Sequence, residues 1–195
     1  PFRDDKVLTA WNALMAVALA KASQVFDRAA YRVAAEKCLA FVEKNLRSPQ
    51  GRLLAAYRGG VARNLACLDD YAFLLWARLE LQVVAPSAEN ITRSIGLADE
   101  MIRLFWDDSV AGFYFSGCDS EALPVRPREW VDAATPSGNS VAARMLVRLS
   151  HLSGDPKYRE FARALLTNMA GELRRSPLAY TFLLSACVEY FATAD

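Results

Sequence analysis

Carboxylates, amides and aromatic rings gather at three places in the chain: Asp4, Asp5, Trp11 and Asn12; Asp69, Asp70 and Tyr71; and Asp132, Thr135, Ser137, Gly138, Asn139 and Ser140. Two carboxyl groups held at a fixed separation can divide a proton transfer, one acting as acid and the other as base or nucleophile. Asp70 with Asp132 or Asp5 is the pairing expected to do this. In glycoside cleavage a separation of about 6.5–9.5 Å would imply inversion, and about 5–5.5 Å retention. A structural role fits part of the pattern. Asp5, Asp69 and Thr135 have the residue types of helix N-caps, with Pro136 at a first helical position. Capping accounts for one such residue per helix. It does not require two aspartates in a row, nor Asn12 and Asn139 inside apolar runs, where a buried amide is costly unless bonded.

Flat aromatic faces accompany these groups, of the kind that pack on the C–H face of a pyranose. Trp76 and Trp106 are expected in the core, whereas Tyr114 and Trp130 fall in loops and are expected to touch a ligand. Arg58, Arg63, Arg126 and Arg128 lie on the same connections and can pair with the aspartates or with an acidic ligand. The candidate catalytic residues are therefore Asp70, Asp132 and Asp5, and the candidate binding residues Trp11, Asn12, Asp69, Tyr71, Tyr114, Arg128, Trp130, Ser137 and Asn139. No cofactor or metal is expected. Cys38, Cys67, Cys118 and Cys187 are far apart without a C-x-x-C, and His151 is the only histidine, so no zinc-ligand spacing exists and four buried, reduced thiols are expected. His151, at the far end of a helix, suits a C-terminal position. No nucleophile elbow, phosphate loop or dinucleotide fingerprint is present.

The elements that must hold these residues are helices. Val7 to Val25 is apolar on nearly every face, as expected of a helix surrounded by others, with Asp4 or Asp5 as its cap. Ala29 to Leu46 puts Tyr31, Val33, Cys38, Phe41 and Val42 on one side and charges on the other, the pattern of an outer amphipathic helix. The alternation recurs with Leu68 to Val84 and Glu89 to Trp106, then Pro136 to Leu152 and Tyr158 to Leu173. A last apolar helix, Pro177 to Phe191, has no partner. The first and third pairs can be overlaid, Asn12 on Asn139, Ser23 on Ser150 and Tyr31 on Tyr158, which is a helical-hairpin repeat of roughly 60 to 70 residues. Between hairpins, Arg52 to Arg58 and Val61 to Arg63 read as a β-hairpin turning on Gly59-Gly60. Gly112 to Gly117 reads likewise, with a return strand around Leu123 to Arg126.

Apolar inner helices shielded by amphipathic outer ones close naturally into a toroid. The expected fold is all-α: three helical hairpins and one further helix, a single domain over 1–195 that forms part of an (α/α)6 toroid, with short β-hairpins in its loops. Inner-helix N-termini would converge on one mouth, where free N–H groups and helix dipoles favour polar ligands. Composition narrows the partners. The 195 residues are 53% hydrophobic and 23% charged, with 23 Lys+Arg against 22 Asp+Glu, enough for a core and too balanced for a nucleic-acid surface. Leu8 to Ala20, the most apolar stretch, falls short of the roughly 20 residues that span a bilayer. A cytoplasmic location is expected, and the opening at Pro1 suggests a piece of a longer chain.

Four blocks, in order, carry a family resemblance: Asp4-Asp5-Lys6-Val7-Leu8-Thr9-Ala10-Trp11-Asn12, Leu68-Asp69-Asp70-Tyr71-Ala72-Phe73, Gly112-Phe113-Tyr114-Phe115, and Ala134-Thr135-Pro136-Ser137-Gly138-Asn139-Ser140-Val141-Ala142. They resemble the conserved blocks of the YyaL/spermatogenesis-associated protein 20 family. Ala13 stands where that family suggests glycine, and Ala66-Cys67 where it suggests Gly-Tyr. The resemblance implies a section of a six-hairpin toroid, akin to N-acylglucosamine 2-epimerases and toroidal glycosidases, with the rest of the toroid and a thioredoxin-like domain as partners elsewhere in the full-length chain. It leaves three functions open: binding or processing a sugar-like small molecule through the mouth carboxylates, a non-catalytic binding or scaffold module working with the thioredoxin-like domain, and sugar epimerisation.

Overall fold

The computed structural model describes residues 4–121 and 124–192. Helix α1, Thr9–Val25, begins later than its apolar run, because Val7–Leu8 is drawn into a strand, β1. Neither Asp4 nor Asp5 caps it: Asp4 Oδ1 accepts from Lys6 N, and the N-cap position is Leu8, without a side-chain cap. After α2 (Ala29–Asn45) the chain makes β2 (Leu54–Arg58) and β3 (Val61–Leu65), which turn on Gly59 and Gly60 as expected. Both glycines have positive φ, a conformation that side chains disfavour. The sheet gains an unexpected third strand, since β1 pairs antiparallel with β2, Val7 opposite Tyr57 and Leu8 opposite Ala56.

Helix α3 (Leu68–Val84) is followed by α4 (Ala88–Phe105), whose N-cap Ser87 accepts from Asn90 N. A two-stranded ribbon, β4 (Trp106–Asp107) with β5 (Gly112–Phe113), replaces the return strand expected around Leu123 to Arg126. Leu123 lies outside the described residues. Further along, Pro127 only supplies a carbonyl to Phe115 N. Helix α5 (Gly138–Ser153) is capped by Ser137, not Thr135, which moves its start past Pro136. Asp155 caps α6 (Pro156–Arg175), and a 3-10 turn at Pro177–Tyr180 leads into α7 (Thr181–Ala192).

Packing sorts these helices into two layers. In the inner row α1 packs on α3, α3 on α5 and α5 on α7, while α2, α4 and α6 each back the hairpin they belong to. Outer helices show why. In α4, Leu97, Ala98, Met101, Leu104 and Phe105 are buried at i, i+1, i+4, i+7 and i+8, and α6 buries Tyr158, Ala162, Leu165, Leu166, Met169 and Leu173 in the same rhythm. Helix α3 is enclosed by α1, α4 and α5. Its Tyr71, Phe73, Leu74, Leu75 and Leu79 are all but inaccessible, each worth about 1.5–3 kcal/mol of burial. Helix α1, expected to be surrounded, keeps an open face: Trp11 is 70% exposed and Met15 58%. The three-hairpin, one-helix section of an all-α toroid with short β-hairpins is what the chain forms. Cys118 is exposed in a loop and the other cysteines are half-buried, so the expectation of four buried thiols does not hold, although all four are unpaired. Among the described residues no helix is long and apolar enough to cross a membrane.

Candidate functional site

One contact joins the N-termini of each neighbouring pair of inner helices, and those contacts define the mouth. Asp70, at N3 of α3, accepts from Cys67 N through Oδ2 (2.9 Å) and from Ala10 N of α1 through Oδ1 (2.9 Å), while Cys67 Sγ donates to Oδ2 at 3.3 Å. It therefore caps its own helix and the first turn of α1, whose cap position holds only a leucine. Between α5 and α7 the same device recurs: Asp132 Oδ1 accepts from Ser137 N (2.9 Å) and Oδ2 from Phe182 N (2.7 Å). Asp70 and Asp132, expected as catalytic, thus have both oxygens on backbone N–H groups. Burial raises the Asp70 pKa, opposed by the N–H groups of Cys67 and Ala10. Asp5 is exposed and pairs with Arg58 Nε at 2.5 Å on the β-sheet.

Between α3 and α5 the contact differs. Gly138, the first residue of α5, lies against Leu68 and Asp69, and an added Cβ would stand 2.5 Å from Asp69 Oδ1 and 2.7 Å from Leu68 Cγ. Only glycine allows this approach. Asp69 Oδ1 is buried and accepts no hydrogen bond. Burial, then the charges of Glu129 and Asp70, push the Asp69 pKa up to about 6, the backbone of Gly138 acting in the other direction. Asp69, expected only to bind, is the mouth carboxyl whose proton is held near neutrality.

Asn139 fixes the loop beside it. The side chain is buried, accepts from Phe113 N (2.8 Å), and donates to Phe113 O (3.0 Å) and Glu129 O (2.9 Å). It thereby anchors Glu129, an exposed residue that sequence reasoning missed because nothing at its own position marks it. Ser137 Oγ caps Ser140 N and donates to Trp130 O. Trp130 is half-buried with its indole on Gly112, where a Cβ would stand 2.1 Å from Cη2. Tyr114 lies between the guanidinium groups of Arg126 and Arg128, 4.0 and 3.9 Å from its ring centre, and Arg128 pairs with Asp107. Ser109, Tyr114 and Arg128 hold the Asp107 pKa down to about 2. Asn12 donates to the carbonyl of Leu8, the residue just ahead of its own helix, and so does not repeat the part Asn139 plays. Tyr71 reaches no surface: it is fully buried and its hydroxyl accepts from Arg52 Nη1 at 2.9 Å.

Below the mouth, Asp69, Phe73, Trp76 and Glu80 of α3 fall at i, i+4, i+7 and i+11, one stripe spanning about 60° of the helix and about 16 Å of its length, in which Phe73 and Glu80 are buried and Asp69 and Trp76 half-buried. Arg78, which reaches Glu43 on α2 and Asn90 on α4, lies on the opposite side, toward the outer layer. The stripe consequently faces the toroid axis. Trp76 packs edge-on against Phe182 of α7 (4.9 Å between ring centres) and donates to Glu80 Oε1 (2.9 Å). Glu80 also takes Lys21 Nζ of α1 at 3.3 Å and Arg148 Nη1 of α5 at 2.6 Å. Arg144 Nε donates to Glu189 Oε2 of α7 at 2.7 Å. Carboxyl, aromatic pair and ionic row follow one another down the axis. Trp76, expected in the core, is half-buried on this wall, and the row was not foreseen. Among the described residues no cluster of three or more metal-ligating side chains occurs.

Over 193 residues the chain is 31% identical to rat spermatogenesis-associated protein 20, and over 196 residues 31% identical to the human protein, matches that take in 94% and 95% of this chain. The chain is a relative of spermatogenesis-associated protein 20. It spans about a quarter of the length of these relatives (24% and 25%). No family model matches it. Among solved structures the fold superposes on a GH76 α-mannanase of Bacteroides thetaiotaomicron with a TM-score of 0.78, at 14% identity, over 98% of this chain and 54% of that one. It also superposes on a D-mannose isomerase, TM-score 0.69 at 17% identity (84% and 42%), and on the cellobiose 2-epimerase of Spirochaeta thermophila, TM-score 0.67 at 17% identity (84% and 43%). These likenesses establish the toroid fold of this relative of spermatogenesis-associated protein 20.

Proposed function

We propose that this chain forms one wall of a saccharide-processing cleft, in which Asp69 donates a proton to the departing glycosidic oxygen and Glu129 is the second carboxyl group. The observation that carries the reading is the state of Asp69. Its Oδ1 is buried without a hydrogen-bond partner, whereas both oxygens of Asp70 and of Asp132 accept from backbone N–H groups, and its pKa is pushed up to about 6. A carboxyl so poised is part protonated where an ordinary aspartate is fully ionised, which general-acid work near neutrality requires. Asp70, Asp132 and Asn139 are positioning residues here, because they fix the helix starts and the Glu129 loop. Trp76 offers the apolar face on which a sugar ring would lie, about 10 Å further along α3. The names of the superposing structures, a mannanase, a mannose isomerase and a cellobiose epimerase, point to the same ligand class.

A binding module without turnover is the second reading, favoured by the engagement of Asp70 and Asp132 in caps and of Asp5 with Arg58. Asp69→Asn in the intact protein separates the two. Glycoside turnover lost with saccharide binding retained supports the enzyme; turnover unchanged overturns the role of Asp69; a parent that binds saccharides and cleaves none leaves the module.

A further inference from the structure

Five charged side chains from four inner helices meet at the deep end of the axial wall: Lys21 on α1, Glu80 on α3, Arg144 and Arg148 on α5, and Glu189 on α7. Three cations face two carboxylates, so the row keeps one positive charge in excess. The carboxylates are the more fully engaged side. Glu80 Oε1 alone takes Trp76 Nε1, Lys21 Nζ and Arg148 Nη1, and Glu189 takes Arg144 Nε and, at 3.7 Å, Arg148 Nε. Arg144 spends only Nε. Its two terminal nitrogens make no hydrogen bond to any described residue, and the side chain is 28% exposed. The guanidinium carbon also sits 5.4 Å from the ring centre of Phe182, the partner of Trp76. A planar donor edge is thus held at a fixed angle beside the aromatic pair, and two parallel N–H groups match a carboxylate.

We propose that the ligand of this cleft is an acidic saccharide, whose sugar carboxylate is received by the free edge of Arg144 while a ring packs on Trp76. The proposal rests on the saccharide reading above and names its substrate class. Coulomb attraction at a partly buried site is weakly screened, so the preference should survive physiological salt. A surface patch would lose it.

The test is calorimetric titration of the intact protein with an oligouronide and with the neutral oligosaccharide of the same length and linkage. The oligouronide is expected to bind about 10- to 100-fold more tightly, the range of one charge-assisted, two-pronged contact. In Arg144→Gln that advantage should collapse while neutral binding persists. Arg144→Lys, which keeps the charge and loses the fork, should retain part of it, and this guards against a misfolded glutamine variant. Equal binding of both saccharides, or an advantage unchanged in Arg144→Gln, overturns the acidic class and leaves the saccharide reading standing. Binding of neither saccharide overturns the reading beneath it. A sulfated oligosaccharide that outcompetes the oligouronide would also refute the carboxylate assignment, since tetrahedral oxyanions do not need a planar fork.

Discussion

Replacing Asp69 by asparagine should make the folded chain more stable above pH 7 and leave it unchanged near pH 4. The carboxyl holds its proton more tightly when folded, with a pKa of about 6 against an ordinary value of 3.8. A raised carboxyl pKa stabilises the fold below the unfolded-state value and loses that contribution as pH rises through the folded-state value. At about 1.4 kcal/mol for each tenfold change in proton affinity, ionised Asp69 costs on the order of 3 kcal/mol at pH 8. Asparagine has no charge to bury. For a chain of this size about 1 kcal/mol corresponds to roughly 2–4 °C, so the melting temperature should rise by up to about 10 °C at pH 8 and by almost nothing at pH 4. Thermal unfolding of wild type and variant at the two pH values provides the assay. A variant less stable at pH 8, or a gain of equal size at both, would refute the account, because it would mean that Asp69 acts as a cap like Asp70.

The same junction makes further claims that can be checked. Gly138→Ala sets a methyl group 2.5 Å from Asp69 Oδ1 and 2.7 Å from Leu68 Cγ, so both side chains must shift; a loss of about 1–3 kcal/mol is expected in denaturant titration. Asn139→Ala strands the buried N–H and C=O of Phe113 and frees the Glu129 loop. It should lose about 2–4 kcal/mol, with hydrogen exchange accelerated at Phe113 ahead of the helices. Glu129→Gln removes the charge second only to burial in raising the Asp69 pKa. Carbon-detected titration of Asp69 should then give a midpoint below 6 and still above 3.8; an unmoved midpoint would show that Glu129 is not the partner carboxyl.

The layers were legible because hydrophobic periodicity reports them directly: α4 and α6 are apolar on one side, whereas α3 is apolar almost throughout and packs between α1, α4 and α5. Helix starts were less legible. A cap read from local sequence is an aspartate or threonine just ahead of an apolar run, yet α1 takes its cap from Asp70, sixty residues away, and Val7-Leu8 is claimed by a strand that only tertiary pairing creates. Reading α1 as surrounded by other helices failed for a related reason, since its face bearing Trp11 and Met15 has no neighbour among the described residues. The candidate site was legible only in part. Asp69, Asp70, Asp132 and Asn139 lie at the joined starts of the inner helices, whereas Asp5 pairs with Arg58 on the sheet and Tyr71 is fully buried; sequence order alone does not tell which of two adjacent aspartates points at backbone donors. Glu129, Glu80 and Arg144 were invisible because their significance comes from partners on other helices.

Adjacent aspartates at a helix start diverge by about 100°, and this angle is what divides the work between Asp69 and Asp70. The residue at N3 reaches back to the N-cap amide and, here, across to α1, so its charge is shared by two N–H groups and the Cys67 thiol. One position earlier, the side chain is turned toward the axis and against the next inner helix, where Gly138 leaves space for a carboxyl but its surroundings do not satisfy it. Each role supports the other. Without Asp70 and Asp132 pinning neighbouring helix starts, the N-termini would be free to close over the orphaned oxygen or to admit water to it, and the proton affinity of Asp69 would fall toward that of a solvated aspartate. A costly carboxyl persists only where the structure around it is over-determined, and three separate inter-helix contacts at one mouth supply that rigidity.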